Sequence, residues 1–128
     1  MEKQIKSFRD LMIWQRGIKL VKEVYEETRN FPKEELYGLT NHMRRSAISI
    51  PSNISEGHIR QHKSEFIQFL SIALGSLAEL ETQISIAKEL GYISNERTEY
   101  LIDQMNSMGK MIRGLTKKLT KPRSITDP

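Results

Sequence analysis

Residues 66–80 read Phe66-Ile67-Gln68-Phe69-Leu70-Ser71-Ile72-Ala73-Leu74-Gly75-Ser76-Leu77-Ala78-Glu79-Leu80, and the pattern continues through Ile84, Ala87 and Leu90. The residues Phe66, Phe69, Leu70, Ala73, Leu74, Leu77, Leu80, Ile84, Ala87 and Leu90 recur at steps of three and four, which places them on one face of a helix. No proline interrupts the run and no period-two alternation competes with it, so 63–90 predicts one long helix. Small residues at 73, 75, 76 and 78 narrow its centre, where a neighbouring helix can approach. Gly91 stands where a C-terminal cap is expected, and Ile93 is placed to make the apolar contact that accompanies one.

Outward from this run, three more segments show the same period. Ser94 is positioned to cap a fourth helix whose stripe is Leu101, Met105, Met108, Ile112, Leu115 and Leu119. The segment 33–57 has Leu36, Leu39, Met43, Ala47, Ile50 and Ile54, with Gly57 at its expected end. Pro51 inside it has no N–H and crowds the Ala47 carbonyl, which predicts a kink near 49–53 or a break. The segment 8–30 carries Leu11, Trp14, Ile18, Val21, Tyr25 and Thr28, and stops at Phe31-Pro32. Segments of this length make rods of about 35–42 Å, and connections of a few residues force successive rods to run antiparallel. The expected fold is all-α: an up-down-up-down four-helix bundle over 1–119, its second helix kinked, followed by a polar tail over 120–128.

The composition agrees with that reading. The 128 residues favour one domain, and a chain of this size buries roughly two-thirds of its unfolded surface without needing a staple. Zero cysteine excludes disulfides, zinc ribbons, iron–sulfur ligation and thiolate chemistry, and fits a reducing cytoplasm. The polar start, Met1-Glu2-Lys3-Gln4, does not read as a secretory signal, and no apolar run reaches the 18 residues of a membrane span. The expected location is therefore cytoplasmic, with no membrane partner.

Catalytic and metal chemistry find little support in the pattern. Bundles that hold two metal ions use Glu-x-x-His pairs, and none occurs here. His58, His62 and Glu65 have suggestive spacing, but Gly57 and a polar link put them across a turn, so neither a metal nor another cofactor is expected. No Gly-x-Ser-x-Gly elbow and no glycine-rich phosphate loop is present. The chain is expected not to be an enzyme.

Two polar features remain. On the second segment Arg45, Ser49, Asn53 and Glu56 share one side, with Glu79 and Glu81 on the third. They read either as a ligand-binding or catalytic strip or as a hydrogen-bonded network that sets helix register; the second reading makes Arg45, Ser49, Asn53, Glu56 and Glu79 structural. On the fourth segment no acid stands between Asp103 and Asp127, while Lys110, Arg113, Lys117, Lys118, Lys121 and Arg123 do. Lys110, Arg113 and Lys117 form a stripe that can neutralise phosphates with little regard to sequence. The alternative is a solvated helix C-terminus, where cations suit the dipole. The net charge of +4 thus divides into +6 over 104–126 and −2 elsewhere.

Several of these stretches taken together resemble a known family. The opening Phe8-Arg9-Asp10-Leu11-Met12-Ile13-Trp14-Gln15, then Phe31-Pro32 with Glu35 and Tyr37-Gly38-Leu39, are similar to the bacterial four-helix-bundle proteins encoded by intervening sequences of 23S ribosomal RNA genes. So are Arg44-Arg45-Ser46-Ala47 through Ser49-Ile50-Pro51-Ser52-Asn53-Ile54-Ser55-Glu56-Gly57, and the Phe66–Ala73 run followed by Gly75-Ser76 and Glu79-Leu80-Glu81. The likeness covers about 8–93. One departure is His62, where the family more often places a serine or threonine cap.

The resemblance implies an antiparallel bundle that assembles into a ring, typically a pentamer. It also implies kinship with the accessory bundle of diversity-generating retroelements, which binds nucleic acid through a basic surface. No catalytic residue comes with the family. Off-stripe Ile13, Ile48, Ile72 and Ile102 are expected to serve a second contact surface in such an oligomer. The expected function is a non-enzymatic homo-oligomeric scaffold that binds RNA or DNA through Lys110, Arg113, Lys117, Lys118 and Lys121, with Arg44 as a lesser contributor. The alternative is a module that docks a protein partner such as a polymerase.

Overall fold

The computed structural model describes residues 5–120, so Lys121 and the tail beyond it lie outside the described residues. A short 3-10 turn, Phe8–Asp10, leads into α1, Met12–Thr28. Ser7 and Asp10 lock this turn in a reciprocal box: Asp10 Oδ2 accepts from the Ser7 and Lys6 amides, and Ser7 Oγ accepts from the Arg9 amide. A 3-10 turn, Lys33–Glu35, and a π turn, Leu36–Thr40, then lead into α2, Asn41–Ile59; α3 is Lys63–Glu89 and α4 is Asn95–Thr120.

The paired contacts make each neighbour antiparallel. Gly17 lies against Pro51 and Thr28 against Arg44 for α1–α2; Ser49 meets Ser76 and Gly57 meets Phe69 for α2–α3. Arg16 reaches Gln104 and Arg97 reaches Glu27 for α1–α4. The chain is an all-α antiparallel four-helix bundle, and among the described residues no helix is long and apolar enough to cross a membrane. Its core runs the length of the axis, from Ile54, Leu70 and Ile112 to Val24, Met43, Ile84 and Leu101. Burying each such side chain stabilises the fold by roughly 1.5–3 kcal/mol.

Helices α3 and α4 start and end close to where the sequence places them. Gly91 adopts φ +80, a conformation that costs a side-chain-bearing residue about 1–2 kcal/mol. There the Tyr92 amide donates to the Ala87 carbonyl at 2.9 Å and the Gly91 amide to Lys88 at 3.0 Å, closing α3. Ser94 Oγ accepts from the Arg97 amide at 3.1 Å and opens α4.

Three expectations are corrected. The buried face of α1 is Ile13, Gly17, Leu20, Val24 and Thr28, while Ile18 and Tyr25 from the expected stripe are exposed. Both sets have the helical period; α1 is rotated so that Gly17 faces α2, because only there can the Pro51 ring approach. The second segment, expected as one helix from about 33, is interrupted at Gly38 (φ −110, ψ −114), and α2 continues through Pro51 without a break. Gly57 is likewise inside α2: a Cβ there would stand 2.6 Å from Phe69 Cβ, so it marks the approach of α3. The turn that reverses the chain belongs to Gln61, at φ 64.

Candidate functional site

Two surfaces gather the polar residues singled out by the sequence. The first is the groove between α2 and α3. Spacing of three, four and seven along α2 lines up His42, Arg45, Ser46 and Ser49, and α3 presents Glu79 and Gln83 opposite, around a cavity of about 360 Å³. Ser49 and Ser76 share a 2.8 Å hydrogen bond across the helices. The Asn53 amide donates to the Ser49 hydroxyl at 2.9 Å and to its carbonyl at 2.8 Å, and Ser46 Oγ donates to Glu79 Oε2 at 3.4 Å. Ser49, Asn53 and Glu79 are thereby tied into cross-helix or intrahelical bonds.

Arg45 is exposed on the rim of this groove, and Glu56 stands apart from the network. One turn before the end of α2, Glu56 accepts from Arg60 at 2.7 Å, which raises the Arg60 pKa further through that hydrogen bond and its charge. Position on the helix explains the separation, since Arg60 is the nearest cation at four residues' distance. His58 turns its ring edge-on to Phe66 at 5.5 Å, and among the described residues no three His, Cys, Asp or Glu side chains converge as a metal-binding group.

The second surface is α4. Its apolar face, Leu101, Met105, Met108 and Ile112, is buried, which turns Lys110, Lys117 and Lys118 outward. Arg113 sits on the flank toward α3, and its guanidinium folds back over Gly109, 3.2 Å from where a Cβ would be. Two adjoining cavities line this flank and share Leu74 and Arg113. The larger, about 390 Å³, is bounded by Ile67, Ser71, Leu74, Arg113, Thr116, Lys117 and Thr120; the smaller, about 90 Å³, by residues that include Leu77, Glu81, Met105 and Gly109. The Thr116 hydroxyl oxygen is buried without a hydrogen-bond partner among the described residues. Of the cavity lining, sequence reasoning named Arg113 and Lys117 as site residues but not Ile67, Ser71, Leu74, Thr116 or Thr120, although the spacing (67, 71, 74 on α3; 113, 116, 117, 120 on α4) is a pattern of facing helix flanks.

The antiparallel arrangement also sorts charge along the axis. One half of the bundle holds the start of α1, the end of α2, the start of α3 and the end of α4. Its described cations are Lys6, Arg9, Arg16, Lys19, Arg60, Lys63, Lys110, Arg113, Lys117 and Lys118, against the carboxylates Asp10, Glu56 and Glu65. The other half collects the acids at the end of α1, the connector and the start of α4, including Glu23, Glu26, Glu27, Glu34, Glu35, Glu96 and Glu99. Arg44 belongs to that acidic half. Its Nε donates to Thr28 Oγ1 at 3.0 Å and its guanidinium lies 4.5 Å from the Tyr25 ring centre, so it joins α1 to α2 and is separated from the α4 stripe.

Acidic partners also set two tyrosines in this half. The Tyr92 hydroxyl donates to Glu35 Oε2 at 3.0 Å, and that bond, aided by burial, holds its pKa above the ordinary value. Tyr100 is raised in the same way by its hydrogen bond to the buried Glu23. Of the four isoleucines expected to remain outside the core, Ile48 and Ile72 are exposed and Ile102 is half-buried. Ile13 is in the core, because the rotation of α1 turns it inward.

Comparison with known proteins places this geometry. The chain is similar to a protein of unknown function from the S23 ribosomal protein family of Bacteroides thetaiotaomicron VPI-5482, with a TM-score of 0.74 over 83% of this chain and 99% of that one. At 22% identity the likeness concerns the fold alone. No curated protein matches the sequence. A family model described as 23S rRNA-intervening sequence protein matches residues 9–114, from the turn before α1 to the last turns of α4. The chain belongs to the 23S rRNA-intervening sequence protein family.

Proposed function

We propose that this protein is a non-enzymatic, self-associating bundle that binds RNA or other nucleic acid electrostatically through α4 and the basic half of the molecule. The observation that carries the reading is the exposed, acid-free stripe of Lys110, Arg113, Lys117 and Lys118 on one helix. Each phosphate that such cations neutralise releases counterions, so affinity must fall as salt rises. Self-association gathers several stripes on one particle, and exposed Ile18, Ile48, Ile72 and Ile86 offer apolar area for it.

A filter-binding titration against RNA over a salt series tests the reading, with native mass spectrometry for the oligomer. The expected result is low-salt binding with a logarithmic salt slope of about −0.7 to −0.9 per phosphate contacted. Lys117→Glu with Lys118→Glu should abolish the binding and leave the oligomer intact. Absence of low-salt affinity, or affinity with no salt slope, refutes it. Docking of a protein partner is the second reading, favoured by Leu36 and the 89%-exposed Tyr37 at the opposite, acidic end. Charge reversal on α4 leaves that activity untouched, which separates the two.

A further inference from the structure

We infer that the cavity between α3 and α4 seats one unstacked nucleobase of a single-stranded nucleic acid, so that the basic face of α4 selects single strands over duplex. The inference rests on the nucleic-acid reading of α4 and adds what that reading leaves open: the state of the strand. Cations alone would grip any phosphate backbone. Here the cations Arg113 and Lys117 border a cavity of about 390 Å³ with an apolar floor, Ile67 and Leu74, and the exposed Ser71.

That set matches one nucleotide by parts. A planar base fits the apolar floor, a phosphate fits the lysine at the rim, and the Ser71 hydroxyl serves the base edge or the sugar. Arg113 lies at the junction of this cavity with the smaller one beside it. Its guanidinium, laid back over Gly109, offers a flat cation on which a base stacks. The bases of a duplex are stacked and paired, so a single strand presents one to the cavity at much lower cost.

Fluorescence anisotropy on the full chain provides the test, with a labelled 12-nucleotide oligouridylate RNA, whose bases are little stacked, and a 12-base-pair RNA duplex at the same salt. The expected result is a single-strand preference of about tenfold, the order of magnitude that one stacked base supplies. Ser71→Phe, which occupies the cavity from an exposed position, should bring the preference close to one. Arg113→Gln, which removes the flat cation on which the base stacks, should lower it about threefold. Equal affinity for the two probes in the wild type, or a preference that survives both variants in folded protein, overturns the inference while a retained salt slope keeps the α4 reading. Failure of both probes to bind at low salt removes the α4 reading itself.

Discussion

The seam between α2 and α3 and the seam between α3 and α4 share one helix and differ in nearly everything else. At the first, Gly57 lets the backbone of α2 close on Phe69, and the Ser49–Ser76 pair and the Ser46–Glu79 bond cross between the helices. A matching close approach, Gly17 on Pro51, joins α1 to α2. Each seam carries a cavity, about 360 Å³ at the first and about 390 and 90 Å³ at the second, but among the described residues no hydrogen bond or ion pair links α3 directly to α4. The α3–α4 hairpin is tied instead to α1 and its following connector, through Arg97–Glu27, Arg16–Gln104 and Tyr92–Glu35. The second seam is the looser in that sense, since no side-chain bond crosses it to resist a change in shape when a ligand enters. The basic stripe borders that looser seam.

Filling the tight seam is the strongest way to break the contrast. Gly57→Ala would put a Cβ 2.6 Å from Phe69 Cβ, an atom too close to its backbone to swing aside. Overpacking of this kind costs about 1–3 kcal/mol, and the upper part of that range is expected even after the gain in helix propensity. Urea unfolding should show the midpoint shift with the slope unchanged; an unshifted midpoint would mean that the α2–α3 approach is looser than described. Gly17→Ala meets ring atoms of Pro51 at 3.1 and 3.3 Å, a milder crowding. Its expected net loss is about 1 kcal/mol, and a stabilised variant would contradict the account of why α1 is rotated.

The sequence conveyed these elements unequally, for physical reasons. Four helices, their antiparallel order and the ends of α3 at Gly91 and α4 at Ser94 were legible, because period and capping chemistry are local. The phase of α1 was not. Its two candidate stripes have equal spacing, and the winner is chosen by a glycine whose value lies in the atom it lacks, opposite a proline 34 positions away. Gly57 misled in the same way, since a glycine that ends a helix and one that admits a neighbour read alike. For the candidate surfaces, the cation stripe was visible as a run without acids, whereas Glu56 was drawn off by Arg60 and Arg44 by Thr28 and Tyr25. Which polar residues share a groove depends on helix rotation, which local spacing does not fix.

Filling positions beside the looser seam should have the opposite sign. Nothing lies within 4 Å of a Cβ at Gly114 on α4 or at Gly75 on α3, and both residues are exposed. Gly114→Ala and Gly75→Ala should each stabilise the bundle by up to about 1 kcal/mol through helix propensity alone. Circular-dichroism melts report this as a higher Tm, with additivity in the double variant because the sites share no contact. Loss of stability at Gly75 in the oligomer, with gain in a dissociated monomer, would identify α3 as the face against which a second copy packs.

The smallest effect concerns how the α3–α4 hairpin is tied at its far end. Tyr92, just past the Gly91 turn, donates to Glu35 in the connector before α2, and its phenol pKa is raised, first by that hydrogen bond and then by burial and the carboxylate's charge. A raised folded pKa means that the neutral phenol is favoured in the native state. The resulting stability is fully present below the unfolded phenol value of about 10 and is lost as pH rises through the folded value. Tyr100 with Glu23 contributes in the same direction. Wild type should therefore lose stability above about pH 10 faster than Tyr92→Phe, and the gap between their urea midpoints should narrow as pH rises. A gap that stays constant from pH 8 to pH 11 would show that the Tyr92–Glu35 bond does not help to hold the hairpin. The looser seam would then depend on α1 alone, through Arg97, Arg16 and Tyr100.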